Sequence, residues 1–104
     1  MNGIDRIAHE RQRQIIEEGW TTEHDDDHMT GQMAAAAACY ARLADDLYLY
    51  NYYNRNRLPE DWPWARKWWK PSDDQIRNLE KAGALIAAEI DRRLRAKLSA
   101  EDAR

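Results

Sequence analysis

The apolar positions of the N-terminal segment repeat with the period of an α-helix. Between residues 4 and 18 they recur at the i, i+3, i+4 spacing that places side chains on one helix face. This face comprises Ile4, Ile7, Ala8, Arg11 and Ile15. Gly19 predicts the helix end, because glycine adopts the left-handed conformation there without strain. Residues 21–31 are polar, and we expect a turn-rich connection whose Thr and Asp side chains cap the next helix.

A second helix is predicted over residues 30–53. It opens with five consecutive alanines at 34–38, and alanine has the highest helix propensity. Its apolar stripe comprises Met33, Ala37, Tyr40, Ala44 and Leu47, and its C-terminal end carries Tyr48, Tyr50, Tyr52 and Tyr53. Residues 54–72 cannot continue this helix, because they contain Pro59, Pro63 and Pro71. We therefore predict a long, Trp-rich connection there.

The capping-box spacing of Ser72 and Gln75 predicts the start of a third helix. Its apolar positions form an a/d stripe of Ile76, Leu79, Gly83, Ile86, Ile90 and Leu94. Gly83 costs about 1 kcal/mol relative to Ala inside a helix, so we expect a close approach there, to the alanines at 34–38. Residues 99–104 are predicted to fray. The pattern as a whole predicts one all-α domain over residues 1–104, with three helices and a long Trp/Pro-rich connection before the last one.

The composition places the chain among globular intracellular proteins. It has 104 residues, of which 43% are apolar and 34% are charged. The single cysteine, Cys39, lies in an Ala-rich run and is predicted to be a buried thiol. The sequence shows neither the apolar core of a signal peptide nor about 20 consecutive apolar residues for a membrane span. We therefore expect a cytoplasmic protein that does not contact membranes.

The charge is unevenly distributed along the chain. A net charge of −3 argues against general nucleic-acid binding. Residues 1–30 carry three Arg against eight Asp and Glu, whereas residues 54–70 carry five Arg and Lys against two Asp and Glu. A basic, Trp-rich segment in an acidic protein favours either an anionic ligand or the acidic surface of a neighbouring copy.

The Trp-rich connection combines the two side-chain types that bind nucleotides. Indole faces stack on bases, and Arg or Lys neutralises phosphate. We expect Trp68 or Trp69 to stack on a base, with phosphates facing a set of cations made of Arg11, Arg66, Lys67 and Lys70. The alternative is a second small core, in which Trp62 and Trp64 cap the helices beneath cations.

The acidic segment 23–28 (EHDDDH) is a candidate ligand or metal site. His24 and His28 are four residues apart and would share a helix face, where they could orient the ligand. If a divalent metal binds at all, its ligands are predicted to be His24, Asp26 and His28. The alternative is a capped, acidic start of a helix, with no metal or other cofactor.

Carboxylates on packed helices could also bind magnesium for nucleotide hydrolysis. MazG-type pyrophosphohydrolases use an E-x-x-E pair followed by an E-x-x-D pair, and this chain has only the second spacing, in Glu23 and Asp26. The enzyme alternative would place magnesium on Glu17, Glu18 and one Asp of 25–27. Nucleophilic catalysis and a phosphate-binding glycine loop find no support in the sequence.

Two runs of the chain resemble a family of small phage and prophage proteins. They are 10–41 (ERQRQIIEEGWTTEHDDDHMTGQMAAAAACYA) and 62–90 (WPWARKWWKPSDDQIRNLEKAGALIAAEI). The resemblance implies a phage context rather than a reaction, and Gln32 stands where the pattern has Glu. Phages make small, often oligomeric proteins that sequester the nucleotides of host immune signalling, so the resemblance implies an anti-defence sponge for cyclic nucleotides.

The leading hypothesis is therefore a phage-encoded, non-enzymatic nucleotide-binding protein. Its ligand-binding residues are predicted to be Arg11, Trp20, His24, His28, Arg66, Lys67, Trp68, Trp69 and Lys70. A homo-oligomer is expected, since the tyrosines and paired tryptophans exceed what three short helices can bury. The alternatives are the metal-dependent pyrophosphohydrolase and a protein-binding module that inhibits a host factor.

Overall fold

A computed structural model describes residues 1–27, 31–45 and 57–102, and all regular secondary structure in these ranges is helical. The α-helices are α1 (Gly3–Glu18), α2 (Thr22–Asp26), α3 (Gln32–Leu43) and α4 (Gln75–Asp102). A 3-10 turn (Arg66–Trp68) lies in the connection before α4. The predicted all-α class is confirmed. No helix in the described ranges is both long and apolar enough to cross a membrane.

Helix α1 begins and ends where its local signals predict. The Asn2 side chain accepts a hydrogen bond from the Asp5 backbone N–H at 2.9 Å, and the Asp5 carboxylate accepts one from the Asn2 backbone N–H at 3.3 Å. This reciprocal capping box satisfies two backbone donors that would otherwise lack partners. At the C-terminal end Gly19 has a φ of 72°, the left-handed conformation that glycine adopts most readily.

The middle of the chain differs from the predicted pattern at two places. Residues 21–31 are not only a turn, because the Thr21 side chain caps α2 by accepting from the His24 backbone N–H at 3.4 Å. The predicted helix over 30–53 is shorter, since α3 ends at Leu43. Residue 30 and residues 46–53 of that prediction lie outside the described residues.

Helix α4 is capped by a different residue from the one predicted. The Asp74 carboxylate accepts from the Ile76 backbone N–H at 2.9 Å, while the Ser72 hydroxyl accepts from the Asp74 backbone N–H at 3.1 Å. Ser72 therefore caps the turn before the helix rather than the helix itself. At its other end α4 continues to Asp102, so residues 99–102, for which fraying is predicted, are helical in the structure.

Helix α4 is the centre of the fold, and the three other helices pack against it. Helices α1 and α4 are antiparallel, since Arg6 pairs with Glu80 and the later Glu10 pairs with the earlier Arg77. The core lies mainly between α3, α4 and the connection before α4. It comprises Trp20, Met33, Ala36, Ala37, Cys39, Tyr40, Leu43, Trp62, Trp69, Ala82, Leu85 and Ala88.

The interface between α1 and α4 is largely ionic. The Glu10 carboxylate is fully buried and lies 2.8 Å from the guanidinium groups of both Arg13 and Arg77. Glu80 extends this chain of charges by pairing with Arg77 at 2.8 Å and with Arg6 at 2.9 Å. Burial alone would raise the pKa of Glu10, but the hydrogen bonds from the two arginines outweigh it and lower that pKa. The residues of α1 that are buried are Glu10 and Gln14, not the predicted apolar face, of which Ile4 and Ala8 are exposed.

The close approach at Gly83 involves α1 and not α3. A Cβ at Gly83 would lie 2.6 Å from Cδ1 and 2.8 Å from Cγ1 of Ile7. The predicted partner, the alanine run of α3, instead packs through Ala36 and Ala37 in the core cluster. The absence of a side chain at Gly83 is therefore what lets Ile7 lie directly on the α4 backbone.

Candidate functional site

The turn after α1 positions Trp20 at the edge of the core. Because Gly19 reverses the chain, the Trp20 backbone N–H donates to the Gln14 carbonyl at 3.1 Å, which folds the indole back toward the helices. Helix α2 then starts at once, capped by Thr21. This brings His24 one turn beyond Trp20 with its ring parallel to the indole, at 5.7 Å between centroids and 5° between planes.

A buried ion pair on the core side of Trp20 and His24 fixes their positions. The Asp25 carboxylate is fully buried and lies 2.7 Å from Nη2 of Arg11. Arg11 also donates to the Trp20 carbonyl at 3.4 Å, and Nδ1 of His24 lies 3.4 Å from Asp25 Oδ1. Arg11 and Asp25 therefore position the backbone of Trp20 and the imidazole of His24.

The Trp-rich connection forms the opposite wall. Trp62 and Trp69 are buried and contact Tyr40, with ring centroids 5.7 Å and 4.8 Å apart. The Tyr40 hydroxyl accepts a hydrogen bond from the Lys70 backbone N–H at 3.0 Å, which ties the end of the connection to α3. Trp64 is only partly buried, and it meets Trp20 edge-to-face at 5.6 Å.

The 3-10 turn separates the two adjacent tryptophans. The Trp68 and Trp69 backbone N–H groups donate to the carbonyls of Ala65 and Arg66 at 3.1 and 3.0 Å. This turn places Trp69 in the core at 5% exposure and leaves Trp68 partly exposed. One indole therefore completes the core, and the other is available at the surface.

Between these walls lies an aromatic cleft of about 190 Å³. We use the name aromatic cleft for the space lined by Trp20, His24, Trp64, Ala65 and Trp68. Three flat indoles and an imidazole line it, so its surface is largely apolar with a few polar ring atoms. Such a surface suits a flat heteroaromatic ring better than an aliphatic chain.

Two lysines lie beside the cleft, over the indole of Trp68. The ammonium groups of Lys67 and Lys70 are 5.3 and 5.6 Å from the Trp68 ring centroid, within the range of a cation–π interaction. Lys70 also lies 3.4 Å from the Glu18 carboxylate. Lys70, Lys67 and Arg66 are all exposed. The rim near Trp68 is therefore positively charged.

The structure brings together some of the predicted ligand-binding residues and separates others. Trp20, His24 and Trp68 line one cleft, and Lys67 and Lys70 flank it. Arg11 lies behind the cleft in its ion pair, and Trp69 lies in the core. Of the other predicted residues, Arg66 is exposed in the 3-10 turn and His28 lies outside the described residues. Trp64 lines the cleft but was not in the predicted set.

Two of the three predicted metal ligands, His24 and Asp26, have different partners in the structure, and His28 lies outside the described residues. Asp26 pairs with Arg95 at 2.8 Å, at the far end of α4, while His24 faces Asp25. Within residues 1–27, 31–45 and 57–102, no three His, Cys, Asp or Glu side chains cluster as metal ligands would. The carboxylates proposed for magnesium, Glu17 and Glu18, both lie near the Arg13 guanidinium, at 3.4 and 3.2 Å.

Cys39 is a buried thiol, as predicted. Burial raises its pKa to about 12, and the nearby Asp61 carboxylate, 3.5 Å from the sulfur, acts in the same direction. A thiol with so high a pKa holds its proton at neutral pH and is a poor nucleophile.

Comparison of the chain with protein-family models, with curated proteins and with solved structures gave no match.

Proposed function

We propose that the protein binds a nucleotide and holds it without converting it. The observation that carries this proposal is the aromatic cleft with lysines on its rim. Three of the side chains singled out from the sequence, Trp20, His24 and Trp68, lie around one space even though 48 residues separate the first from the last.

The base is the part of the ligand that we place in the cleft. Stacking a base on an aromatic side chain contributes about 1–3 kcal/mol. Trp68 offers a partly exposed indole, and the parallel pair of Trp20 and His24 offers a second flat surface. At about 190 Å³, the cleft is smaller than the roughly 300 Å³ at which sites for drug-sized ligands begin. It therefore suits one ring system and leaves the sugar and phosphates outside.

The phosphates of the ligand would meet the cations of the rim. Lys67 and Lys70 lie beside the indole that would stack on the base, so an attached phosphate is within their reach. Lys70 would exchange its contact with Glu18 for a contact with phosphate. Because these ammonium groups lie at the surface, affinity should fall as salt increases.

Binding without conversion is the simplest outcome of this arrangement. The buried carboxylate of Asp25, behind the cleft, is paired with Arg11 and so is engaged in holding the fold. Together with the resemblance to phage proteins, this supports sequestration of host signalling nucleotides, including cyclic ones. The function would then depend on affinity and protein abundance rather than on turnover.

The test is a binding assay that also detects conversion. The protein is incubated with linear and cyclic nucleotides plus magnesium, filtered and heat-denatured, and both fractions are separated by chromatography. We expect one nucleotide to be depleted from the filtrate and released intact on heating. Conversion to product would show an enzyme, and unchanged free nucleotides throughout would reject the proposal in favour of a protein partner.

Two substitutions then assign the binding to the cleft. Trp68→Ala should weaken binding by about 10- to 100-fold, the equivalent of one stacked base. Lys67→Ala should weaken binding of the nucleotide but not of the matching nucleoside. Lys97→Ala is the matched control, because Lys97 is an exposed lysine near the C-terminal end of α4. Equal effects of Lys67→Ala and Lys97→Ala would place the phosphate elsewhere.

A further inference from the structure

The exposed face of α4 carries a row of apolar side chains. Its members are 49–61% exposed and recur every three or four residues: Ile76, Leu79, Ile86, Ile90, Leu94 and Leu98. We call this set the α4 row. Its one gap falls at Gly83, where Ile7 of α1 occupies the space that a side chain would take. Single apolar residues are common on protein surfaces, but a row about 33 Å long is typical of an interface.

The opposite face of α4 is already buried by the fold. Ala82, Leu85 and Ala88 pack in the core, so the row is not the surface that holds the monomer together. A helix with apolar residues on both faces is normally covered on both. The a/d stripe recognised in the sequence is therefore real, but it faces outward.

We propose that the row is covered by a second copy of the chain, in a two-fold symmetric dimer with antiparallel α4 helices. A two-fold interface uses the same surface on both partners, so the row must be complementary to itself. The row meets this requirement, because when Ile76 faces the partner's Leu94, Leu79 faces the partner's Ile90. Ile86 then lies opposite the partner's Gly83, where the Ile7 side chain that covers this glycine supplies the apolar surface.

The charges at the two ends of the helix select the antiparallel arrangement. The N-terminal end carries the exposed carboxylates of Asp73 and Asp74, and the exposed cations Arg93 and Lys97 lie where these carboxylates would meet a partner helix. The exposed carboxylates of Glu101 and Asp102 lie beyond this overlap. In the antiparallel pairing these opposite charges meet, and the helix dipoles oppose each other. A parallel pairing would bring like charges together at both ends.

This dimer surface differs from the one expected from the sequence. Trp69, one of the paired tryptophans, is used in the core. The tyrosines at 48–53 lie outside the described residues. The aromatic cleft is formed by the turn after α1 and the connection before α4, so the proposed dimer does not depend on the proposed nucleotide site.

Sedimentation velocity of the full chain tests the proposal. We expect a concentration-dependent monomer–dimer equilibrium for the wild type between about 1 and 200 µM, because a single helix pair is at the small end of specific interfaces. Ile90→Glu should raise the dissociation constant by about 100-fold or more, since it would bury a carboxylate among apolar side chains. Ile16→Glu is the matched control, because Ile16 is 76% exposed on α1 and off the row.

Each outcome of this experiment decides the proposal. A wild type that is monomeric over the whole range, or an Ile90→Glu variant that still dimerises like wild type, would overturn it. Circular dichroism of both variants shows whether they retain the wild-type helix content, as substitutions at exposed positions should.

Disulfide cross-linking tests the orientation separately. Ile76 and Leu94 lie about 27 Å apart on one helix, too far for a disulfide within the chain. The double variant Ile76→Cys and Leu94→Cys should form a covalent dimer on mild oxidation, and neither single variant should. Efficient linkage of the Ile76→Cys variant alone would show a parallel pair and overturn the antiparallel arrangement.

Discussion

Asp25 on α2 and Arg11 on α1 form an ion pair of 2.7 Å whose carboxylate is fully buried. The pair joins the two helices on either side of Trp20, and Arg11 additionally donates to the Trp20 carbonyl. A buried carboxylate without its partner destabilises the fold strongly, so the removal of either residue should be costly in free energy of unfolding. The pair therefore determines where the cleft residues Trp20 and His24 lie, although neither charged side chain lines the cleft.

Replacing Asp25 should destabilise the fold. Asp25→Asn keeps the size of the side chain but leaves Arg11 without its counter-charge, and we expect a loss of about 3 kcal/mol in the free energy of unfolding. Asp26→Asn is the control, since Asp26 is exposed and its contact with Arg95 should contribute less than about 1 kcal/mol. Urea denaturation measures the free energy of unfolding of both variants. Equal losses in the two variants would contradict the assigned role of the buried pair.

Truncation of the two adjacent tryptophans should affect different properties, stability for Trp69 and nucleotide binding for Trp68. Trp69→Ala removes a core indole and should cost about 3–5 kcal/mol of stability. Trp68→Ala should cost about 1 kcal/mol, because its side chain is only partly buried, yet it should abolish most nucleotide binding. Denaturation and binding measurements on both variants separate these effects. A stable Trp69→Ala protein with weakened binding would place the ligand on Trp69 instead.

Local signals in the sequence predicted the helices well where a specific residue decides the outcome. Gly19 ends α1 because the chain needs a left-handed residue there, and that requirement can be read from one position. The start of α4 was less predictable, because Ser72 and Asp74 can both cap and the choice depends on the path of the preceding chain. The end of α3 at Leu43 has no such signal in the sequence.

Apolar periodicity predicted the buried face of α3, where Met33, Ala37 and Tyr40 are buried, but not that of α1 or α4. In α1 the buried residues are Glu10 and Gln14, because arginines on two helices compensate the buried carboxylate. In α4 Leu85 and the small residues Ala82 and Ala88 face the core, whereas the apolar residues of the α4 row face outward. Both results depend on partners distant in the sequence. Likewise, the Trp-rich segment indicated a site, but only the fold shows that Trp68 and not Trp69 lines it.

Acid should weaken the fold through Glu10. Its pKa is lower in the folded protein than the ordinary value of 4.5, so the ionised form stabilises the fold above about pH 4.5. This contribution is lost as the pH falls through the lowered pKa, when the carboxylate takes up a proton and its bonds to Arg13 and Arg77 weaken. We expect Glu10→Gln to be about 2 kcal/mol less stable than wild type at pH 7.

The pH dependence of that difference is the decisive measurement. The difference in unfolding free energy between wild type and Glu10→Gln should narrow below pH 4.5, because only the wild type has a carboxylate to protonate at position 10. Glu17→Gln is the matched control, since Glu17 is exposed and lies 3.4 Å from the same Arg13. A gap that stays constant to pH 3 would show that Glu10 acts through packing and not through its charge.

Gly83 and Ile7 should be energetically coupled. In an unobstructed helix, Gly→Ala stabilises by about 1 kcal/mol, and Ala96→Gly at an exposed position of α4 calibrates this value. At Gly83 the added Cβ would lie 2.6 Å from Cδ1 of Ile7, so Gly83→Ala should fail to stabilise or should destabilise. In an Ile7→Ala background the obstruction is gone, and the same substitution should stabilise.

A double-mutant cycle by urea denaturation should therefore give a coupling of about 1 kcal/mol or more. All four proteins must be measured at one concentration, because the stability of a dimer depends on it. Additive effects would mean that Ile7 moves aside freely and that Gly83 is not required for the packing of α1 on α4.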